Sequence, residues 1–161
     1  MKDFKYFDKK NIFSLFIITL IFVLDRISKI KIINQVSDNN IYINDFINLN
    51  LVWNTGIGFG LLSSNSSLIY NSVSVVIFFV IIFLVYLILK SLLFDKIMFS
   101  IVVGGALGNF YDRLVYFAVP DFIDLHYQSF HWFTFNIADI FITLGILTII
   151  SKDLFFKNEK N

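Results

Sequence analysis

Two aspartates stand in unusually apolar surroundings, and together they suggest a catalytic pair. Asp121 lies in the motif 119–122, and Asp139 opens the apolar run 140–150. An ionisable carboxyl group at membrane depth is costly unless it is paired or functional. Two carboxyl groups in one pocket of low polarity share a proton. One can then take a proton from water while the other protonates a scissile carbonyl, so the pair predicts acid–base hydrolysis.

A simpler interpretation exists for each aspartate alone. Asp121 could be a solvated loop residue, and Asp139 could be a helix N-terminal charge stabilised by the helix dipole. The presence of both, among other unusual polar residues, favours the catalytic interpretation. Asp124 lies in the same predicted loop as Asp121. Spacing does not choose between Asp121 and Asp124, nor does it exclude a cluster of three carboxylates.

The composition predicts a membrane protein. Of 161 residues, 57% are hydrophobic and 21 are Phe, whereas a soluble domain has roughly 45–50% apolar residues. A net charge of +1 gives no electrostatic footprint for a nucleic-acid partner. The absence of cysteine excludes disulfides, thiol nucleophiles and cysteine metal sites. His126 and His131 lack metal-ligand spacing and are predicted to be interfacial loop residues, so no metal is expected.

The elements that must position the aspartates are predicted to be helices. Each apolar run of about 20 residues is long enough to cross a bilayer. We expect an all-α membrane protein, a single domain over 1–161, with a small outward-facing β-like segment and loop. Its four spans are predicted at about 12–33, 68–89, 97–117 and 136–156. Apolar–polar alternation of period two predicts a strand over 47–54, and Gly56, Gly58 and Gly60 predict a turn after it.

The distribution of lysine and arginine orients these spans. Neither residue occurs in 32–67 or in 114–136. By the positive-inside rule, those two segments face outward and both termini are cytoplasmic. The unusual polar residues then gather at the outward membrane face: Asp25, Lys29, Asn54, Asn109, Arg113, Asp121, Asn136 and Asp139.

Spacing of four residues predicts two polar helix faces. Asp25 and Lys29 should form an ion pair that braces the aspartates without entering the chemistry. Asn109 and Arg113 should share a face, where Arg113 could hold a backbone carbonyl or a carboxylate, or could snorkel to the interface. Asn54 could hydrogen-bond an extended peptide.

Taken together, these motifs resemble those of the lipoprotein signal peptidases, also called signal peptidase II. The resemblance covers nearly the whole chain and lies in five motifs in order: 25–29, 54–60, 104–113, 119–122 and 135–139. Two departures from the family pattern are Pro120 and the Ile57-Gly58 pair, which spare the polar positions.

The resemblance implies an aspartic endopeptidase of the bacterial cytoplasmic (inner) membrane, active near the periplasmic face without a metal or cofactor. It would remove the signal peptide from prolipoproteins by cutting before a diacylglyceryl-modified cysteine. Its partners would be these substrates and membrane lipid, not nucleic acid, and nothing demands more than a monomer. The implied catalytic residues are Asp121 and Asp139. The implied pocket-forming or substrate-binding residues are Asp25, Lys29, Asn54, Gly56, Asn109, Arg113 and Asn136.

Two other functions compete with this interpretation. A small proton-coupled transporter or channel subunit would carry charged residues near the midplane of several spans. Here the midplanes are apolar and the polar residues collect at one face, which favours the peptidase. In a non-catalytic assembly protein the polar motifs would be structural, and a cleavage assay would separate the three.

Overall fold

The computed structural model describes residues 8–36, 40–56 and 67–156. Helices make up most of this part of the chain, and the strands form one small sheet. The elements in chain order are α1 (Lys9–Gln35), β1 (Ile41–Asn44), β2 (Ile47–Asn54), α2 (Ser67–Lys90), α3 (Leu93–Val115), β3 (Val119–Tyr127), β4 (Phe130–Phe135) and α4 (Ile137–Phe156).

Three helices in the described ranges are long and apolar enough to cross a membrane. They are Lys9–Gln35, Tyr70–Lys90 and Leu93–Val115, and each overlaps one of the first three predicted spans. Large apolar side chains on these helices, such as Phe16 and Phe79, are exposed, as expected of surfaces that face lipid. Helix α4 coincides with the fourth predicted span but carries Asp139, Lys152 and Asp153, and it is not among these three.

The sheet is larger than the sequence predicted. Its four strands are antiparallel in the order β1-β2-β3-β4. Strand β2 occupies the predicted positions 47–54. The expectation of an otherwise all-α protein was incomplete, because the predicted outward loop forms β3 and β4 instead. Asp121 and Asp124 therefore lie in a strand.

Strand β3 forms by pairing with β2, a long strand that is distant from it in the sequence. Val119 pairs with Asn54, Pro120 with Trp53, and Asp121 with Val52. On its other side, β3 pairs with β4. The sheet packs onto the end of α1, where Phe122 of β3 meets Ile32 of α1. This packing fixes the position of Asp121 relative to the helices.

Small residues place α3 close to both α1 and α4. A Cβ on Gly104 would lie 2.8 Å from Cβ of Ile21 on α1. A Cβ on Gly105 would lie 2.7 Å from the backbone oxygen of Ala138 on α4. Glycine at these two positions allows the close helix packing seen here. It brings the end of α3 beside the start of α4.

The predicted turn after β2 is described only in part. Gly56 is the last described residue before the gap at 57–66. Gly58, Gly60 and the Ile57 departure lie outside the described residues.

Candidate active site

Asp121 and Asp139 meet around the side chain of Asn136. Asn136 lies at the junction between β4 and α4. Its Nδ2 donates to Asp121 Oδ1 at 2.6 Å, and its backbone nitrogen donates to Asp139 Oδ2 at 3.1 Å. Asp139 returns a backbone hydrogen bond to Asn136 Oδ1 at 3.0 Å. Asp121, Asp139 and Asn136 are only 2%, 8% and 0% exposed, so one buried asparagine holds both carboxyl groups.

Two further asparagines complete the hydrogen bonding of the pair. Asn54 of β2 donates from Nδ2 to Asp121 Oδ2 at 2.8 Å. Asn109 of α3 donates from Nδ2 to Asp139 Oδ1 at 2.8 Å. Each of the four carboxyl oxygens therefore accepts one hydrogen bond, and both side chains are fixed in one orientation. The predicted residues Asn54, Asn109 and Asn136 all converge here.

The surroundings of Asp121 change its proton affinity. Burial, and after it the negative charge of Asp139, raise the pKa of Asp121 from 3.8 to about 7. Hydrogen bonds from Asn54 and Asn136, and the more distant charge of Lys29, act to lower this pKa. A pKa near neutrality means that Asp121 can both hold and release a proton under physiological conditions.

Four buried charged side chains lie behind the pair and form what we call the charge cluster: Asp25, Arg26, Lys29 and Asp112. Lys29 Nζ lies 2.9 Å from Asp25 Oδ2 and 2.7 Å from Asp112 Oδ2. Arg26 Nη1 lies 2.6 Å from Asp112 Oδ1. Two cations balance two carboxylates, which offsets much of the cost of burying them. The predicted Asp25–Lys29 pair is confirmed.

The charge cluster contacts the site at two points. Lys29 Nζ donates to Asn109 Oδ1 at 2.7 Å. The backbone nitrogen of Ala138, next to Asp139, donates to Asp25 Oδ1 at 3.1 Å. Gly108 allows this arrangement, because a Cβ there would overlap the carboxylate of Asp25.

Sequence reasoning did not assign Asp112 to the site. It follows Asn109 by three residues, so both lie on one helix face. This spacing could have indicated a role for Asp112 in the site, but the residue was considered only as part of the motif 104–113.

Arg113 holds the chain that follows β2. Its Nη2 donates to the backbone oxygen of Gly56, and its guanidinium lies 5.4 Å from the ring centre of Tyr70. Gly56 also donates from its backbone nitrogen to Asn54 Oδ1 at 2.7 Å. Of the alternatives for Arg113, contact with a backbone carbonyl is the one observed, and its burial is inconsistent with snorkelling.

Apolar space reaches Asp139 from two sides. A cavity of about 390 Å³ lies between α2, α3 and α4, and Asn109, Arg113 and Asp139 are among its few polar lining residues. A recess of about 260 Å³ lies between β4 and α4, lined mainly by Phe and aliphatic residues. The two carboxyl groups thus lie at the boundary between apolar cavities and a hydrogen-bonded polar site.

Asp124 and the histidines form a separate group. Asp124 Oδ2 lies 2.7 Å from His131 Nδ1, and the His126 and His131 rings stack at 5.3 Å. Asp121 and Asp124 differ by an odd number of positions on β3, so they point to opposite faces. The histidines lie on strands, contrary to the predicted loop. Among the described residues, no group of three or more possible metal-ligating side chains is found.

Comparison with known proteins relates this chain to one family. The model of a family described as "Signal peptidase (SPase) II" matches residues 17–155. A "Lipoprotein signal peptidase" of Pelagibacter ubique (strain HTCC1062) is 48% identical over 155 residues, covering 94% of this chain and 93% of the relative. One of Anaplasma phagocytophilum (strain HZ) is 36% identical over 95% of this chain and 99% of the relative. A solved structure described as "Bacterial membrane enzyme structure by the in meso method at 2.3 A resolution" is similar with a TM-score of 0.76. It is 30% identical to this chain and covers 92% of it and 91% of the solved chain.

Proposed function

This chain belongs to the signal peptidase II family, aspartic peptidases that remove the signal peptide from prolipoproteins, and we propose that Asp121 and Asp139 are its catalytic pair. The observation that carries the proposal is the arrangement around Asn136, in which both buried carboxyl groups share one hydrogen-bonding residue. The transporter alternative finds no support in the two relatives reported above, which are both named lipoprotein signal peptidases.

In the proposed mechanism the shared proton starts on Asp121 and the negative charge on Asp139. Asp139 takes a proton from a water molecule, whose oxygen attacks the carbonyl carbon of the scissile peptide bond. Asp121, with its pKa near 7, gives its proton to the carbonyl oxygen.

Collapse of the tetrahedral intermediate restores the pair. The carbon–nitrogen bond breaks as Asp139 delivers its new proton to the leaving amine, and one hydroxyl of the intermediate returns its proton to Asp121. The products are a carboxylic acid and an amine, and each aspartate regains its starting protonation state. Asn54, Asn109 and Asn136 keep both carboxyl groups aligned through these steps.

The substrate would be a prolipoprotein cut before its diacylglyceryl-modified cysteine. The apolar cavity between α2, α3 and α4 would hold part of the acyl chains, since its lining is mainly aliphatic and aromatic and includes Asp139. Asn54, Gly56 and Arg113 would position the peptide above the pair, because they tie the chain after β2 over Asp121.

The proposal includes the placement in the membrane. Helix α4 would be a fourth span, with Asp139 at its outward end and Lys152 at its inward end. Both termini would then be cytoplasmic, residues 1–161 would form one integral-membrane domain, and the carboxyl pair would lie near the periplasmic face. Attachment of the prolipoprotein cysteine to the outer leaflet places the scissile bond at this depth.

Cleavage by purified enzyme in detergent tests the proposal. The substrates are one prolipoprotein with and without its diacylglyceryl group, and the variants are Asp121→Asn and Asp139→Asn. We expect wild type to cut the modified substrate, and each variant to lose roughly 10²–10⁴-fold in rate while remaining folded.

Asp124→Asn is the matched control, because this nearby buried carboxyl group pairs with His131 on the other face of β3. We expect it to keep activity within about tenfold of wild type. Normal cleavage by either Asp121→Asn or Asp139→Asn would refute the assignment. Complete loss in Asp124→Asn alone would move the assignment to that residue.

A further inference from the structure

The charge cluster lies behind Asp139 and reaches its carboxylate through a single side chain, that of Asn109. We propose that Asp112 is a positioning residue for the reaction, which holds Lys29 against Asn109 and so fixes the amide that orients Asp139. The inference rests on the proposed catalytic role of Asp139. It assigns to Asp112 a function beyond packing of the helices.

The orientation of Asn109 follows from the chemistry of its two neighbours. A lysine ammonium group has three donors and no acceptor, so the atom of Asn109 that lies 2.7 Å from Lys29 Nζ must be the oxygen. The amide nitrogen then faces Asp139 Oδ1 at 2.8 Å and donates to it. The reverse orientation would set the amide oxygen against a carboxylate and the amide nitrogen against an ammonium group, losing both hydrogen bonds.

Asp112 is what holds the lysine in this place. The three donors of Lys29 match three acceptors, on Asn109, Asp112 and Asp25. Asp112 also holds Arg26 through its other oxygen, and it is fully buried. An asparagine at this position keeps one acceptor oxygen and turns an NH2 group toward the other cation, so either Lys29 or Arg26 has an unmatched donor and the charge cluster carries an extra positive charge. The ammonium group would then move toward other acceptors and leave Asn109 free to turn.

A small change in the position of Asp139 is expected to affect chemistry more than binding. Displacement of a catalytic group by about 1 Å can cost roughly 100-fold in rate. Asp112 lies on the far side of Asn109 from Asp139 and is not among the residues that line the apolar cavity. Its removal should therefore lower kcat and leave KM nearly unchanged.

A double-mutant cycle tests whether Asp112 acts through Asn109. The variants are Asp112→Asn, Asn109→Ala and the two combined, each measured for kcat and KM with lipid-modified substrate and normalised to folded enzyme. In the wild-type background, we expect Asp112→Asn to lower kcat by roughly 10- to 100-fold. In the Asn109→Ala background there is no amide to orient, so the same change should lower kcat by less than about threefold.

An equal loss in both backgrounds, or a rise in KM at unchanged kcat, would overturn the proposal. Asp121→Asn is measured alongside to separate this result from the proposed catalytic pair. If Asp121→Asn cleaves normally, the pair is misassigned. If Asp121→Asn is inactive while the cycle is additive, only the positioning role fails.

A charge-balanced variant keeps the test valid if Asp112→Asn does not fold. Lys29→Met combined with Asp112→Asn removes one cation and one carboxylate and leaves the Asp25–Arg26 contact in place. We expect this double variant to fold, because no uncompensated charge is left buried, and to show the same 10- to 100-fold loss in kcat. Activity equal to wild type would overturn the positioning role of Asp112.

Discussion

The buried carboxyl group of Asp121 should make both stability and activity depend on pH in a defined direction. Folding raises its pKa from 3.8 to about 7, so the folded state binds the proton more tightly than the unfolded state. The stabilisation from this proton is complete below pH 3.8 and is lost as the pH rises through 7. A shift of this size corresponds to about 4 kcal/mol.

Asp121→Asn removes this ionisation. Asparagine has the shape and charge of the protonated acid, but its amide nitrogen cannot accept one of the two hydrogen bonds that Asp121 accepts. This loss should cost about 1–3 kcal/mol at every pH. At pH 8.5 the wild type alone must bury a charged Asp121. Between pH 4 and pH 8.5 the difference in stability should therefore shift in favour of the variant by up to about 4 kcal/mol, or roughly 8–16 °C in unfolding temperature for a protein of this size.

Thermal unfolding in detergent between pH 4 and pH 8.5 measures this difference. Asp45→Asn is a suitable control, because that carboxyl group is exposed on the sheet, and it should follow the wild-type curve. In the same preparations, wild-type kcat/KM should fall as the pH rises above 7, because Asp121 would lose the proton that the proposed mechanism gives to the carbonyl oxygen. Parallel unfolding curves for wild type and Asp121→Asn across this range would refute the reasoning.

Two further changes probe the groups around the pair. Asn54→Ala removes a hydrogen bond that lowers the pKa of Asp121, so the alkaline fall in kcat/KM should move to higher pH by up to about one unit; an unchanged or lower midpoint would contradict this. Gly108→Ala places a Cβ against the Asp25 carboxylate, which Lys29 prevents from moving, and should destabilise the protein by about 1–3 kcal/mol. Glycine-to-alanine changes inside helices normally stabilise by up to about 1 kcal/mol. A rise in unfolding temperature would therefore show that the Asp25 carboxylate can move away from the added Cβ.

Local patterns in the sequence predicted the helices and one strand well. Long apolar runs located all four helices, and alternation over 47–54 predicted β2 with its observed bounds. Strands β3 and β4 were missed because their pairing is non-local: Asp121 pairs with Val52, far away in the chain. Pro120 and two aspartates also make the start of β3 resemble a loop, since these residues are rare in strands.

The polar residues of the site were largely predictable by type, but their hydrogen-bonding partners were not. Spacing of four predicted the Asp25–Lys29 contact, which the helix geometry alone determines. The links from Lys29 to Asn109 and from Asn136 to Asp121 join different elements, so no local pattern reports them. The spacing of Asp112 from Asn109 indicated a shared helix face, but its ion-pair partners lie on α1, so the sequence did not reveal its part in the charge cluster.

The charge cluster also constrains how the protein is made. Asp25, Arg26 and Lys29 leave the ribosome on the first helix with a net charge of +1, and Asp112 cancels it only after the third helix has been synthesised. Until then the end of the first helix must stay hydrated or be shielded by the insertion machinery, because an unmatched charge in hydrocarbon is costly. The first helix is therefore expected to reach its final packed position only after the third helix has been inserted. The helices of this enzyme would then pack together after insertion, and not one by one as they are made.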